Sequence, residues 1–376
     1  MAILFCSFAL AQKGNKDFRY IDTGLFQDNA HHWYDIVEKE AVIQPKKNQP
    51  RYQATELAAI ANNVLLYQKN NGGWPKNYDI QAILTDDQKD TLLSTKNTVN
   101  TTFDNRTTYS HIACLSKVYY VIKDERYKVA AFKGLDFILQ SQYANGGWPQ
   151  YFPLQKNNYS SHITFNDDVM AGIMKLLKEI VEGKVQYEFI DAEKKQKLKT
   201  AFDRGLACIL KMQINDAGKP TAWCQQHDEV TLEPAWARKF EPPSICNGES
   251  VDIVLLLMSI KNPSKEVIAA VDNAVDWFNG SKILYTKEKT IKIKDTVFKY
   301  HTSNRDKIIV TDSTAPPIWT RYYELKTHRP IFCNRDSKVV YSLAEVDMER
   351  RTGYGWYTYG PQKVLDRYGE WKKLVK

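Results

Sequence analysis

Apolar residues recur at helical intervals along this chain, and each run is closed by the same polar punctuation. Leu57, Ile60 and Val64 lead to Gln68; Phe132, Leu135 and Leu139 lead to Gln142; Leu198, Phe202, Leu206 and Ile209 lead to Gln213. This spacing predicts amphipathic helices ending near the three glutamines. Behind the first two stand Gln68-Lys-Asn-Asn-Gly-Gly-Trp-Pro75 and Gln142-Tyr-Ala-Asn-Gly-Gly-Trp-Pro149, 74 residues apart. Gln213-Ile-Asn-Asp-Ala-Gly-Lys-Pro220 reads as a degenerate third copy, 71 residues further on. Gly-Gly followed by Pro stops a helix and forbids its resumption, which puts the motif in loops at one common end of the fold.

A second motif and a second helix follow each copy. Phe103-Asp104-Asn105 precedes a helix predicted over 107–123, Phe165-Asn166-Asp167-Asp168 one over 168–181, and Cys246-Asn247-Gly248-Glu249 one over 248–261; a further helix is expected over 264–278. A fixed period of this kind marks a structural unit used several times. The expected fold is mainly α, an α/α toroid of about three helical hairpins whose equivalent helix ends face one another. Thr290-Ile-Lys-Ile-Lys and Thr296-Val-Phe-Lys-Tyr alternate at the period of a strand, so the C-terminal hundred residues are expected to hold short strands and loops.

The first residues, Met1 to Gln12, form an apolar run ending in Ala9-Leu10-Ala11. That resembles the hydrophobic region and cleavage site of a secretory signal, without its basic start. The expected organisation is a partial signal over 1–11, an extension over 12–50 and one catalytic domain over 51–376, in a protein that is secreted or periplasmic. No later stretch approaches the ~20 apolar residues of a membrane span. Six cysteines show no C-x-x-C pairing, so buried free thiols are expected rather than a zinc knuckle.

Charge narrows the partner. Lys and Arg number 52 against 44 Asp and Glu, giving a formal net charge of +8. Such a balance favours a polyanion, and nucleic acid is the weakest choice because no basic run occurs. Aromatic residues reach 12%, with nine Trp and 22 Tyr. Those rings serve equally as sugar-stacking platforms or as core.

Two groups could carry chemistry. Asp104, Asn105, Asp167 and Asp168 offer oxygen ligands from separate loops, which suits Ca²⁺, although an Asp or Asn ahead of a helix is also an ordinary N-cap. Arg238, Arg321 and Arg335 lie in aromatic-flanked, loop-like sequence where a guanidinium can present its fork to a carboxylate. The plain alternative pairs them with Glu241, Glu324 and Asp336 to hold loops.

The Gly-Gly-Trp-Pro copies, Thr102-Phe-Asp-Asn105, Thr164-Phe-Asn-Asp-Asp168, the Arg238 to Pro243 segment, and Arg321 with Arg335 fourteen residues later resemble the polysaccharide lyase family 10 pectate lyases. The resemblance spans roughly residues 50 to 360. It implies a cleft for polygalacturonate and Ca²⁺, with Asp104, Asn105 and one of Asp167 and Asp168 on the metal. It also implies Arg335 as catalytic base and Arg238 and Arg321 as clamps on substrate carboxylates. Trp148 and Lys239 complete the expected substrate-binding set, and a monomer is the default. Because free arginine is almost always charged, burial and neighbouring cations are expected to depress the base, and an alkaline optimum follows.

Three rivals stand beside this reading. A glycoside hydrolase on the same toroid would use Asp104 with Asp168 or Glu249 as acid and base, but gives no reason for the three arginines. A terpene-cyclase-like barrel shares the Gln-x-x-x-Gly-Gly-Trp pattern, yet these loops are too polar for an apolar substrate. A non-catalytic binder would keep the cleft and lose the chemistry.

Overall fold

The computed structural model describes residues 18–36, 41–155, 158–299 and 301–375, so the expected signal over 1–11 lies outside the described residues. In chain order the α-helices are α1 (Gln27–His31), α2 (Leu57–Tyr67), α3 (Asp86–Ser94), α4 (Tyr109–Ile122), α5 (Glu125–Ser141), α6 (Val169–Val181), α7 (Ala192–Lys211), α8 (Asn247–Met258), α9 (Lys265–Ser281), α10 (Met348–Thr352) and α11 (Gly360–Leu374). All seven helices expected from periodicity are present. Local chemistry sets several of their starts: Asp124 accepts from the Arg126 N–H ahead of α5, and the Ser264 hydroxyl accepts from Val267 ahead of α9. Among the described residues, no helix is long and apolar enough to cross a membrane.

The repeat is recognisable by its hydrogen bonds. In the first copy the Trp74 indole donates to the Val64 carbonyl at 2.8 Å, the Gln68 amide donates to the Ala130 carbonyl at 2.9 Å, and the Lys69 N–H closes the turn on Gly73 at 2.9 Å. The third copy makes the same three bonds: Trp223 to Ile209 at 2.8 Å, Gln213 to Ala270 at 2.9 Å, and Ile214 to Ala222 at 2.9 Å. Its tryptophan is therefore Trp223, not the position of Lys219, because a small hairpin of Asn215–Asp216 with Lys219–Pro220 is inserted before it.

A fourth copy corrects the expected number. Trp319 donates to the Phe278 carbonyl at 2.8 Å, and the Ile283 N–H closes on Ile318 at 2.8 Å. Lys282 stands where the other copies carry glutamine, and the turn is expanded into a long antiparallel hairpin of Thr286–Val297 with Thr302–Thr311. Most of the two alternating runs read from the sequence thus belong to one strand of that hairpin.

The paired glycines have a geometric reason. Gly72 sits at φ +93°, and a Cβ on it would lie 2.3 Å from the Lys133 carbonyl oxygen; Gly146, at φ +102°, would lie 2.2 Å from that of Arg204. Each turn packs its backbone directly on another helix, which excludes any side chain there.

The chain divides into two compact units. The first comprises 1–142, 151–153 and 175–202, the second 143–150, 154–174 and 203–376. The first unit buries Ile60, Val64, Tyr67, Trp74, Ile112, Leu115, Leu135 and Phe137. The second holds a four-stranded sheet in the order Val339–Val340, Pro330–Cys333, Tyr322–Tyr323, Ile245–Cys246. Around it Phe240, Cys246, Tyr322, Phe332, Cys333 and Trp356 form an apolar cluster. The sheet fixes chemistry at its edges: Arg321 immediately precedes one strand, Arg335 follows another by two residues, and Ile245–Cys246 runs straight into α8. Cys114, Cys208, Cys224, Cys246 and Cys333 are free and buried, as expected.

Candidate active site

In the first unit, Asp104, Asn105 and Arg106 form a short 3-10 turn in which Asn105 takes a left-handed backbone, φ 50° and ψ 38°. Non-glycine residues rarely adopt that conformation unless their surroundings enforce it. Here the Asn29 side chain donates to the Asn105 carbonyl at 2.7 Å, and the Asn105 amide donates to Asn77 Oδ1 at 3.1 Å. The buried Asp104 carboxylate pairs with Lys76. Burial by itself would lower the Lys76 ammonium, but Asp104 and Tyr151 overturn that and hold it above its ordinary value. Asp104 does not cap the next helix; Thr108, in a capping box with His111, does.

The second unit repeats the turn at Asn166, Asp167 and Asp168, with Asp167 at φ 52° and ψ 35°. Asn166 links two groups: its amide donates to Asp167 Oδ2 at 2.5 Å, and its carbonyl oxygen accepts from Arg321 Nη2 at 2.9 Å.

Each of the three arginines is engaged by a glutamate. Arg238 donates through Nε to Glu241 Oε2 at 2.8 Å and through Nη2 to Oε1. Arg321 donates to Glu249, on the first turn of α8, rather than to Glu324. Arg335 donates through Nε to Glu349 Oε2 at 2.8 Å and through Nη2 to Oε1 at 3.0 Å, rather than to Asp336. Glu324 and Asp336 instead serve their own loops, accepting from the Tyr341 hydroxyl and from the Lys338 N–H.

The arginines converge on aromatic rings. The guanidinium carbons of Arg238 and Arg335 each lie 5.0 Å from the Phe240 ring centre, and that of Arg350 lies 4.6 Å from it. Arg321 lies 4.7 Å from the ring of Tyr354, whose hydroxyl donates to Glu241 Oε1 at 2.8 Å. The Asp167 carboxylate lies close enough to Arg238 to help hold its charge. Within this unit, Arg238, Arg321, Arg335 and Asp167 therefore form one connected electrostatic cluster.

The two arginines expected as carboxylate clamps are held in their charged form. Burial pulls Arg238 and Arg321 down, but Glu241 and Glu249 outweigh it, and both arginines end above their ordinary range. Glu349 is driven the opposite way: burial raises it, yet hydrogen bonds from Arg335 and Arg350 bring it down to about 2.

Trp148, expected in the substrate-binding set, is fully buried. Trp74 and Trp223, at the equivalent places in their copies of the motif, are fully buried as well. Lys239 is exposed beside Arg238. Trp236, 41% exposed two residues before Arg238, is the ring in this loop available to a sugar. Sequence reasoning missed Glu349, Arg350 and Tyr354, which sit near the chain's end without a repeated motif; the acid-base run Glu349-Arg350-Arg351 was the available signal. A separate group, His162, Asp228 and Glu229, places one ligand atom from each within 4.8 Å of the others. Its imidazole distinguishes it from the oxygen-ligand side chains of Asp104 and Asn105 in the first unit and of Asp167 and Asp168 in the second, residue types that suit a hard cation such as Ca²⁺.

A cluster of arginines suits an acidic partner, and comparison with known proteins gives the class. A solved family 10 polysaccharide lyase from Cellvibrio cellulosa is 29% identical, with a TM-score of 0.70 over 84% of this chain and 92% of that one. An aspartate-to-alanine variant of a family 10 polysaccharide lyase from the same organism, in complex with trigalacturonic acid, matches at 29% identity and TM-score 0.69 over 83% of this chain and 92% of that one. No curated protein matches. The family model described as pectic acid lyase matches residues 68–365. The chain belongs to the pectic acid lyase family and is a pectate lyase. Family membership sets aside the hydrolase and cyclase readings; Glu249, one of the hydrolase's three candidate carboxylates, is paired with Arg321.

Proposed function

We propose that this lyase cleaves polygalacturonate by calcium-assisted β-elimination, with an arginine as base, on an α/α toroid, as a monomeric exported enzyme. The observation that carries the mechanism is the gathering of Arg238, Arg335 and Arg350 around Phe240, with Arg321 joined through Tyr354 and Glu241. In galacturonate, the hydrogen on C5 lies next to the C6 carboxylate. Its removal adds charge to a group that is already anionic, so the reaction needs fixed cations at that carboxylate. Arg238 and Arg321 clamp it, and Arg335 takes the C5 proton. The C5 electron pair then forms the C4=C5 double bond as the C4–O4 bond breaks, and the departing O4 takes a proton from solvent, leaving an unsaturated uronide at one end and a new hydroxyl at the other.

Asp104, Asn105, Asp167 and Asp168 are the residues that would hold Ca²⁺. When bound, the ion supplies further neutralisation of the substrate carboxylate. Free arginine is ordinarily charged at neutral pH, so turnover is expected to rise toward alkaline conditions.

One observation favours an exchange of roles between Arg335 and Arg238. Arg238 is anchored in the same way, through Nε and Nη2, and it lies within electrostatic reach of Asp167. Incubation with polygalacturonate, with and without a chelator, tests the proposal by ultraviolet absorbance of the new double bond. Chelator-insensitive release refutes the calcium role, and release of saturated ends refutes elimination.

A further inference from the structure

Glu349 receives two guanidiniums at once. Arg335 donates at 2.8 and 3.0 Å, and Arg350 donates through Nε to Oε2 at 2.9 Å and through Nη2 to Oε1 at 2.8 Å. The Glu349 side chain is 16% exposed and that of Arg350 only 6%, against 35% for Arg335. The carboxylate is thus held from its inner side by a buried arginine and presents its other side to a more open one.

The surroundings fix the distance between Arg335 and Glu349. Asn334, the residue before Arg335, donates to the Glu345 carbonyl at 3.2 Å and accepts from the Asp347 N–H at 2.8 Å, which ties the Arg335 loop to the start of α10. On its other side, α10 is fastened to the long hairpin. Arg351 forms a two-pronged pair with Asp306 at 2.8 and 2.7 Å, and the His301 ring bonds Thr352 at 2.9 Å. The Trp356 indole donates to the Arg350 carbonyl at 3.1 Å.

We propose that Glu349 is a positioning residue for the lyase reaction: it seats the Arg335 guanidinium by its Nε/Nη2 edge, with Arg350 as the counter-charge that keeps the seat from cancelling Arg335. The proposal rests on the functional reading above. A carboxylate paired with Arg335 alone would make a neutral couple with little attraction for an anionic substrate. Adding Arg350 leaves the trio with a net positive charge while the bidentate geometry fixes the plane of the Arg335 guanidinium. The sequence places the seat and its counter-charge on adjacent residues, so one turn of α10 sets both.

Chemical rescue tests the proposal. In Arg335→Ala, added guanidinium at non-denaturing concentration is expected to occupy the seat and restore part of the turnover of polygalacturonate. In Arg335→Ala combined with Glu349→Gln the same addition is expected to restore none. Alone, Glu349→Gln is expected to lower kcat on the order of 100-fold with KM changed far less, the cost of a misplaced reacting group. Glu349→Asp, which keeps the charge but shortens the reach, is expected to fall between wild type and Glu349→Gln, and it serves as the readout if the glutamine variant does not fold. Equal rescue with and without Glu349, or a kcat within twofold of wild type in either single variant at position 349, overturns the proposal. A wild-type chain that releases no unsaturated product from polygalacturonate refutes the elimination reading instead, and so separates the two failures.

Discussion

Asn105 and Asp167 hold the same left-handed backbone, at φ 50°, ψ 38° and φ 52°, ψ 35°, each as the middle residue of a 3-10 turn that follows a phenylalanine. The match aligns Asp104 with Asn166 and Arg106 with Asp168. It singles out Asp167, rather than Asp168, as the partner of Asn105 in the repeated turn. Asp167→Ala is therefore expected to remove most of the calcium dependence of activity, while Asp168→Ala has the smaller effect. Calcium titration of initial rates in both variants checks this; equal losses would undo the alignment argument.

Arginine roles separate kinetically. Removing the base is expected to lower kcat by on the order of 10²–10⁴-fold. Removing a carboxylate clamp raises KM as well, because the clamp also contributes to ground-state binding. Arg335→Ala, Arg238→Ala and Arg321→Ala, each measured for kcat and KM on polygalacturonate, assign the roles: the base is the position where kcat collapses with KM little changed.

Trp148 and Trp236 are expected to respond oppositely. Trp148 is fully buried, so Trp148→Ala lowers stability by about 3–5 kcal/mol, the cost of emptying a large core site. Trp236 is 41% exposed beside Arg238. Trp236→Ala leaves the melting temperature near wild type and raises KM. Thermal unfolding together with steady-state kinetics on both variants checks the pair.

Gly72→Ala and Gly146→Ala combine a positive φ with a Cβ placed 2.3 and 2.2 Å from a backbone oxygen. Relaxation must move main chain rather than a flexible side chain. Each is expected to destabilise by about 2–4 kcal/mol, in the upper range for single substitutions. A loss below about 1 kcal/mol by denaturant unfolding would show that the turns are looser than their geometry indicates.

Acid sensitivity follows from buried histidines and from Glu349. Burial pushes His111 down to about 3 and His227 to about 4, from an ordinary value of 6.5. Both stay neutral in the folded chain across the window where the unfolded chain takes up protons. Stability is therefore complete above pH ~6.5 and falls as pH drops toward 4. Glu349, lowered from 4.5 to about 2, contributes stability that is present above 4.5 and is lost toward 2. Unfolding midpoints measured from pH 7 to 3 should decline throughout, and a flat profile between 6.5 and 4 would contradict the histidine assignment.

The sequence by itself determined the helices and the repeat. Both depend on local information: periodic apolar positions, the glutamine that ends each helix, and glycines required by a left-handed turn. It also named the arginines and the acidic turns, because these recur with motifs. Tertiary structure alone decided the partners. Arg238 finds a glutamate three residues away, Arg335 one fourteen away and Arg321 one 72 away, and no local spacing predicts the last two. It also revealed the fourth copy, since the hairpin inserted between Ile283 and Ile318 separates that copy's helix from Trp319. Trp148 shows the same division: its place in the motif was legible, but burial depends on which surfaces the folded chain brings against the indole, and that is a property of the assembled core.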